Sequence, residues 1–272
     1  MQTRHRLTAA IAVFWVVGVA PGARALERDV PYVPTPEPVV REMLRLANVS
    51  EKDTLYDLGC GDGRIVVMAA KERGAHGVGV DIDPDRIAES RANAKWADVT
   101  DKVRFIEGDL FKVDLRPATA VTLYLLPDVN LRLRPKLLSE LKPGTPIVSH
   151  QFDMGDWEPE VKTKVGFATV YLWHVPARVS NRSDYELRTA DGRVERHQLE
   201  VTQHLQKISG SVTIDGEQFP IENGRINGER VRFSVNRPSH GTLVQYTYEG
   251  QVIDGEVRSV TAGDVQNNFA RR

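Results

Sequence analysis

Three short segments hold side chains that could do chemistry, and each lies at the end of a predicted strand. The run Thr54-Leu55-Tyr56-Asp57-Leu58 leads into Gly59-Cys60-Gly61-Asp62-Gly63, and then into an apolar helical stretch beginning Arg64-Ile65-Val66-Val67. A turn of this kind lies at the carboxyl edge of an α/β sheet, where backbone approaches a ligand closely only if side chains are absent. The spacing is G-x-G-x-G; the dinucleotide fingerprint G-x-G-x-x-G would need a glycine where Arg64 stands. Asp57, two residues before the first glycine, would repel a pyrophosphate and attract an ammonium group. Gly77-Val78-Gly79-Val80 ends in Asp81, about twenty residues past the glycines, a carboxylate suited to accept from both hydroxyls of a ribose. Phe105-Ile106-Glu107-Gly108 leads to Asp109, suited to accept from an adenine amino group. Each feature alone is common in loops. Their order and spacing together point to a cleft for an adenosine-bearing cofactor that carries an ammonium group.

Those strand ends need a sheet to hold them. From residue 31 to about 176, short β-branched runs alternate with helical stretches. Strands are predicted over 54–58, 77–81, 103–107, 119–125 and 145–150. Helices are predicted over 37–47, 64–73, 84–97 and 130–141, with Asp83 as a cap and Pro84 at the first helical position of the third. This is the pattern of an α/β, Rossmann-like doubly wound sheet. From 183 to 262 the chain reads as short alternating strands with turns at Asp191-Gly192, Asp215-Gly216, Asn223-Gly224, Asn227-Gly228 and Asp254-Gly255, an all-β meander forming a small barrel or sandwich. The expected organisation is a cofactor-binding domain over 31–177 and an all-β domain over 178–272. Ahead of both, Arg4, His5 and Arg6 precede an apolar run from Leu7 to Ala20 and the small-x-small triplet Ala23-Arg24-Ala25. Residues 1–25 thus have the form of a secretory signal peptide, which implies export to the periplasm or, if uncleaved, a membrane anchor.

Charge and cysteine count exclude several function classes. Lysine plus arginine number 36 against 37 aspartates plus glutamates, and from Arg178 onward the two are thirteen each. No global field draws the protein to nucleic acid, which is not expected as a partner. The single cysteine, Cys60, excludes an intrachain disulfide and a multi-cysteine zinc site, and the seven histidines show no H-x₃₋₅-H or H-E-x-x-H spacing, so no metal is expected. Within the glycine loop Cys60 itself reads as a small residue that fits the turn.

At these residues the chain resembles the class I, Rossmann-like S-adenosylmethionine methyltransferases, over roughly Tyr32 to Trp157. Within that superfamily it is most similar to the family of the mitochondrial ATP synthase c-subunit and adenine nucleotide translocase lysine methyltransferases and their bacterial relatives. The stretches that carry the resemblance are Tyr32-Val33-Pro34-Thr35-Pro36, DLGCGDGRIV at 57–66, and Ser149-His150-Gln151-Phe152-Asp153-Met154-Gly155-Asp156-Trp157. It implies S-adenosyl-L-methionine as cofactor, with Tyr32, Thr35, Asp57, Gly59, Gly61, Gly63, Asp81 and Asp109 on the cofactor side. It also implies a protein lysine as methyl acceptor, a membrane-protein lysine among the candidates. The β part has no counterpart in it.

In this fold the loop after the fourth strand lines the acceptor, which makes Tyr124, Asp128 and Asn130 acceptor-side candidates, and His150 a candidate base. Each has a plainer alternative: Tyr124 as core, Asp128 as a helix cap, Asn130 as an exposed amide and His150 as the partner of a backbone group. Methyl transfer from a sulfonium is an in-line displacement, and an apolar channel beside the sulfonium favours the neutral amine of a lysine without a dedicated base. Three other functions stay open on the sequence: a small-molecule methyltransferase, a nicotinamide- or flavin-linked oxidoreductase, and a secreted non-catalytic binding protein that keeps a relic of the cofactor fold. The absent third glycine argues against the oxidoreductase, and the intact set of cofactor positions against the relic.

Overall fold

The computed structural model describes residues 32–188, 194–239 and 242–264; the signal-like segment 1–25 and the Asp191-Gly192 turn lie outside them. The first part alternates as predicted: α1 (Glu37–Leu46), β1 (Thr54–Leu58), α2 (Arg64–Arg73), β2 (His76–Asp81), α3 (Pro84–Trp96), β3 (Val103–Glu107), β4 (Ala120–Leu123), α4 (Pro127–Glu140) and β5 (Pro146–His150). Two strands that the sequence pattern does not predict, β6 (Val161–Val165) and β7 (Ala168–His174), follow as an antiparallel hairpin. The sheet order is β3-β2-β1-β4-β5-β7-β6, parallel as far as β5, with β7 antiparallel to it. The order reverses between β1 and β4, the switch point where open α/β sheets bind ligands.

Local chemistry accounts for the elements that frame this point. Pro36 is extended and Pro38 sits in the first turn of α1, where it removes no helical hydrogen bond. Val39, Val40, Met43 and Leu44 then form one buried stripe that packs on β5, β6 and β7. Each such side chain stabilises the fold by ~1.5–3 kcal/mol, and Met43→Ala would cost ~2–5 kcal/mol. In α3, the Asp83 carboxylate accepts from the Asp85 N–H (3.0 Å), the predicted cap. Helix α4 starts at Pro127, three residues earlier than predicted, because the extended Leu126 and the proline after it already set the first turn. Asp128 and Asn130 therefore belong to a helix and not to a loop.

The second part is a meander of β8 (Arg182–Arg188), β9 (Val194–His204), β10 (Lys207–Ile214), β11 (Glu217–Asn227), β12 (Arg230–Ser239), β13 (Thr242–Ile253) and β14 (Glu256–Asp264). Neighbours pair antiparallel in chain order, and β14 returns beside β8 to give a nearly closed barrel. Leu199, Val212, Val235, Phe233 and Tyr248 fill it. Asp215-Gly216 and Asp254-Gly255 have positive φ at both residues (51° and 84°, 52° and 81°), the two-residue turn that matches strand twist. Asn223-Gly224 is a correction: it is not a turn. Strand β11 runs through it as a bulge, with register shifts against both β10 and β12, because both neighbours continue past it.

Candidate active site

A cleft of 690 Å³ opens above the carboxyl ends of β1, β2, β3 and β4, a size that suits a nucleoside-type ligand. Eight of the sequence-predicted residues line it: Tyr32, Thr35, Asp57, Gly59, Gly61, Asp81, Asp109 and Tyr124. Gly63, Asp128, Asn130 and His150 are not on its wall. Asp62, Arg64, Arg86, Leu110 and Phe152 are, although nothing in the local sequence pattern marks them for it.

The glycines divide by what a side chain would strike. Gly61 has φ +53°, and a Cβ there would collide with the ring of Tyr32, which lies over the loop. Gly63, at φ +76°, precedes α2; its Cβ would lie 2.6 Å from Phe105 and 2.7 Å from Ser90. Gly63 therefore lets α2 and α3 pack closely and does not face the cleft.

The three acids sit in different electrostatic settings. Asp57 is fully buried on β1, where it accepts from the Thr122 hydroxyl (2.8 Å). Burial, helped by the negative charges of Asp81 and Asp62 and opposed by that hydrogen bond, pushes its carboxyl up to about 7. Asp81 accepts from the N–H of Gly61 (2.8 Å) through one oxygen and of Asp83 (3.0 Å) through the other. Each carboxylate oxygen keeps a second lone pair, so a pair of adjacent hydroxyls can still be held. Asp109 accepts from the Phe111 N–H (2.9 Å) and pairs with Lys112 (3.3 Å). Cys60 is buried, and burial pushes its thiol far up, so it is no nucleophile at neutral pH.

Residues 32–35 cross the cleft as a strap held at both ends. Arg86 stacks its guanidinium on the Tyr32 ring (4.6 Å to the centroid). Arg64, locked by a bidentate pair with Asp62, donates to the Thr35 carbonyl (3.2 Å). Burial works against the Asp62 charge, yet the hydrogen bonds from Arg64 hold its carboxyl below the usual range. The Thr35 hydroxyl bonds Nδ1 of His150 (3.1 Å).

The acceptor side is aromatic. The Tyr124 ring lies against His150 (centroids 3.8 Å apart) and faces Phe152 (6.3 Å). His150 is buried, and burial lowers its pKa to about 4, so the imidazole is neutral and a weak proton acceptor. This geometry fits a residue that ties the strap to β5 better than a base. Asn130 is fully buried rather than exposed, and its amide donates to the carbonyls of Phe152 (3.4 Å) and Asp153 (3.2 Å). Asp128 is exposed in the first turn of α4, where a negative charge favours the helix, and it does not face the cleft.

Comparison with known proteins agrees with this cleft. The family model of the ANTKMT methyltransferase domain matches residues 57–161. A curated protein-lysine N-methyltransferase of Saccharolobus islandicus is 50% identical over 149 residues, which is 53% of this chain and 92% of that protein. The adenine nucleotide translocase lysine N-methyltransferase of Mus musculus is 32% identical over 168 residues, 61% of this chain and 73% of that protein. A crystal structure described as an RNA methyltransferase from Salinibacter ruber, in complex with S-adenosyl-L-homocysteine, is 57% identical, covers 54% of this chain and 97% of that one, and has a TM-score of 0.54. The chain belongs to the ANTKMT methyltransferase family.

Proposed function

We propose that the cleft binds S-adenosyl-L-methionine and directs its methyl group to the side-chain amine of a protein lysine. The observation that carries this is the row of three acids, Asp57, Asp81 and Asp109, along one cleft that Gly61 leaves open. The cofactor supplies an electrophilic methyl on a sulfonium. Asp57 takes its ammonium, Asp81 its ribose hydroxyls and Asp109 its adenine amino group. Tyr32 and Thr35 cover it from the strap and exclude water. Tyr124 and Phe152 form an apolar wall that favours the neutral amine and holds it in line. No protein base is needed, and His150 holds the strap through Thr35.

Relatives named for lysine methylation support a protein acceptor. RNA methylation is a second possibility, favoured by the description of the Salinibacter protein; the near-equal charge count (36 against 37) argues against it. The amino-terminal segment supports export or anchoring, which cell fractionation would test. The function is tested by incubating the protein with methyl-labelled cofactor and an extract of the source cells, then digesting with protease or ribonuclease. Protease-sensitive label is expected. Ribonuclease-sensitive label would move the acceptor to RNA, and label confined to small molecules would exclude both.

A further inference from the structure

The family model stops at residue 161, so nothing in it gives the barrel a task. Among the described residues, the barrel makes no hydrogen bond or ion pair to the three cleft acids. It meets the segment that runs from Phe152 to Glu160, and the contact is charge-complementary. On the barrel, His204 pairs with Asp156 (3.0 Å), and Lys207 (2.5 Å) and Arg225 (2.6 Å) converge on the two carboxylate oxygens of Glu158. The buried Gln206 amide donates to the Glu158 carbonyl (2.9 Å). From the other side, Arg134 of α4 donates to the Met154 carbonyl (2.8 Å) and pairs with Asp156, while Asn130 holds the carbonyls of Phe152 and Asp153. Beneath, Trp157 is buried against Trp173, whose indole N–H donates to the Trp157 carbonyl (2.7 Å). The segment is gripped on three sides, and its Phe152 end forms the wall of the cleft facing Tyr124.

We infer that the barrel is a positioning domain for the acceptor side of the cleft, acting through Glu158 and Asp156 on Phe152. This rests on placing the acceptor at Tyr124 and Phe152. A single exposed ion pair holds little, but two cations on one carboxylate plus a buried amide on the same residue's carbonyl fix the backbone there. Displacing such a wall by about 1 Å is enough to lower turnover ~100-fold. The cofactor acids lie on other elements and should not sense it.

The test uses the full chain and needs no identified acceptor. Lys207→Glu with Arg225→Glu opposes Glu158; adding Glu158→Lys restores the pairing with charges exchanged. The milder Gln206→Leu removes only the buried bond. Amide hydrogen exchange over residues 151–157 should quicken about tenfold in the double variant and in the same direction in Gln206→Leu, and the exchanged-charge variant should recover most of the protection. Calorimetry with S-adenosylhomocysteine should give wild-type affinity in all of them. Unchanged exchange over 151–157, or loss of cofactor affinity in step with it, would overturn the inference. A wild-type protein that does not bind S-adenosylhomocysteine would instead count against the cofactor assignment and leave the exchange result standing.

Discussion

Thr35 and His150 stand 115 residues apart in the chain and share a buried hydrogen bond of 3.1 Å, which ties the strap over the cleft to the end of β5. Thr35→Val leaves the imidazole without that partner and should lower stability by ~1–3 kcal/mol, with weaker S-adenosylhomocysteine binding measured by calorimetry. The pH sign is defined by the imidazole, whose folded pKa of about 4 lies below the ordinary 6.5. Its contribution is fully present above pH 6.5 and is lost as pH falls from there towards 4. His150→Gln should flatten that acid slope in denaturant titrations. The slope follows from burial whatever the imidazole does in catalysis, so kcat is what separates the roles: a catalytic base at this position would add a large loss of kcat to the flattened slope.

The collision of a Cβ at Gly61 with the Tyr32 ring gives a paired prediction. Gly61→Ala should weaken S-adenosylmethionine binding by at least about tenfold, since the new methyl either fills the cleft or drives the strap off it. In a Tyr32→Ala background the same change should cost clearly less, because its clash partner is gone. Full additivity of the two in a double-mutant cycle would show that the strap does not cover this glycine.

Asp57 makes cofactor binding depend on pH. Its carboxyl titrates at about 7 in the free protein because burial disfavours the charge, and an ammonium beside it would pull that value down. Binding between pH 6 and 7 should therefore release a proton, detectable as a dependence of the calorimetric heat on buffer ionisation enthalpy. Asp57→Asn keeps an oxygen for Thr122 but loses the charge, so its affinity should fall about tenfold or more at pH 8 and little at pH 5.5. For stability the sign is opposite to that of His150. A raised carboxyl favours the folded form at low pH, and this is lost as pH rises from about 4 to 7.

Tyr124→Ala should damage turnover more than His150→Gln does, because Tyr124 is on the cleft wall and His150 is behind it. Misplacing the amine by about 1 Å costs ~100-fold. Comparable kcat/KM losses in the two variants, with cofactor affinity intact in both, would argue that the imidazole acts on the amine directly.

The legible parts of the site are those written in local pattern. A side-chain-free turn after one strand, and acids closing the next two, are enough to bring Asp57, Gly61, Asp81 and Asp109 to a single cleft wall, and the fold places them there. The parts that stay hidden depend on pairing across the chain. Val161-Lys162-Thr163-Lys164-Val165 does alternate β-branched residues with lysines, a strand signal in itself, but it is a half-buried edge strand whose partner β7 runs against the parallel βα pattern that organises the rest of the sheet. The Arg64 latch on Thr35 spans 29 residues. Residue type alone makes Asn130 an exposed amide; the early start of α4 at Pro127 turns it inward to the carbonyls of 152 and 153. Phe152 reaches the cleft because Gln151 turns the chain at φ 68°, a conformation its identity does not announce.

The measurement that tests the lysine assignment and the cleft most directly is the identity of the atom that receives the methyl group. The full chain and its Asp81→Ala variant would be given methyl-labelled S-adenosylmethionine and a membrane-protein extract of the source cells, and the labelled material hydrolysed and resolved by mass spectrometry. Label is predicted on the side-chain nitrogen of lysine. The kcat/KM should also rise towards alkaline pH, since a free lysine amine titrates near ~10.4, and the label should disappear with Asp81→Ala, which removes the ribose acceptor. Label on a nucleoside, a carboxylate or a small molecule would contradict the lysine assignment, and undiminished labelling by Asp81→Ala would contradict the cleft.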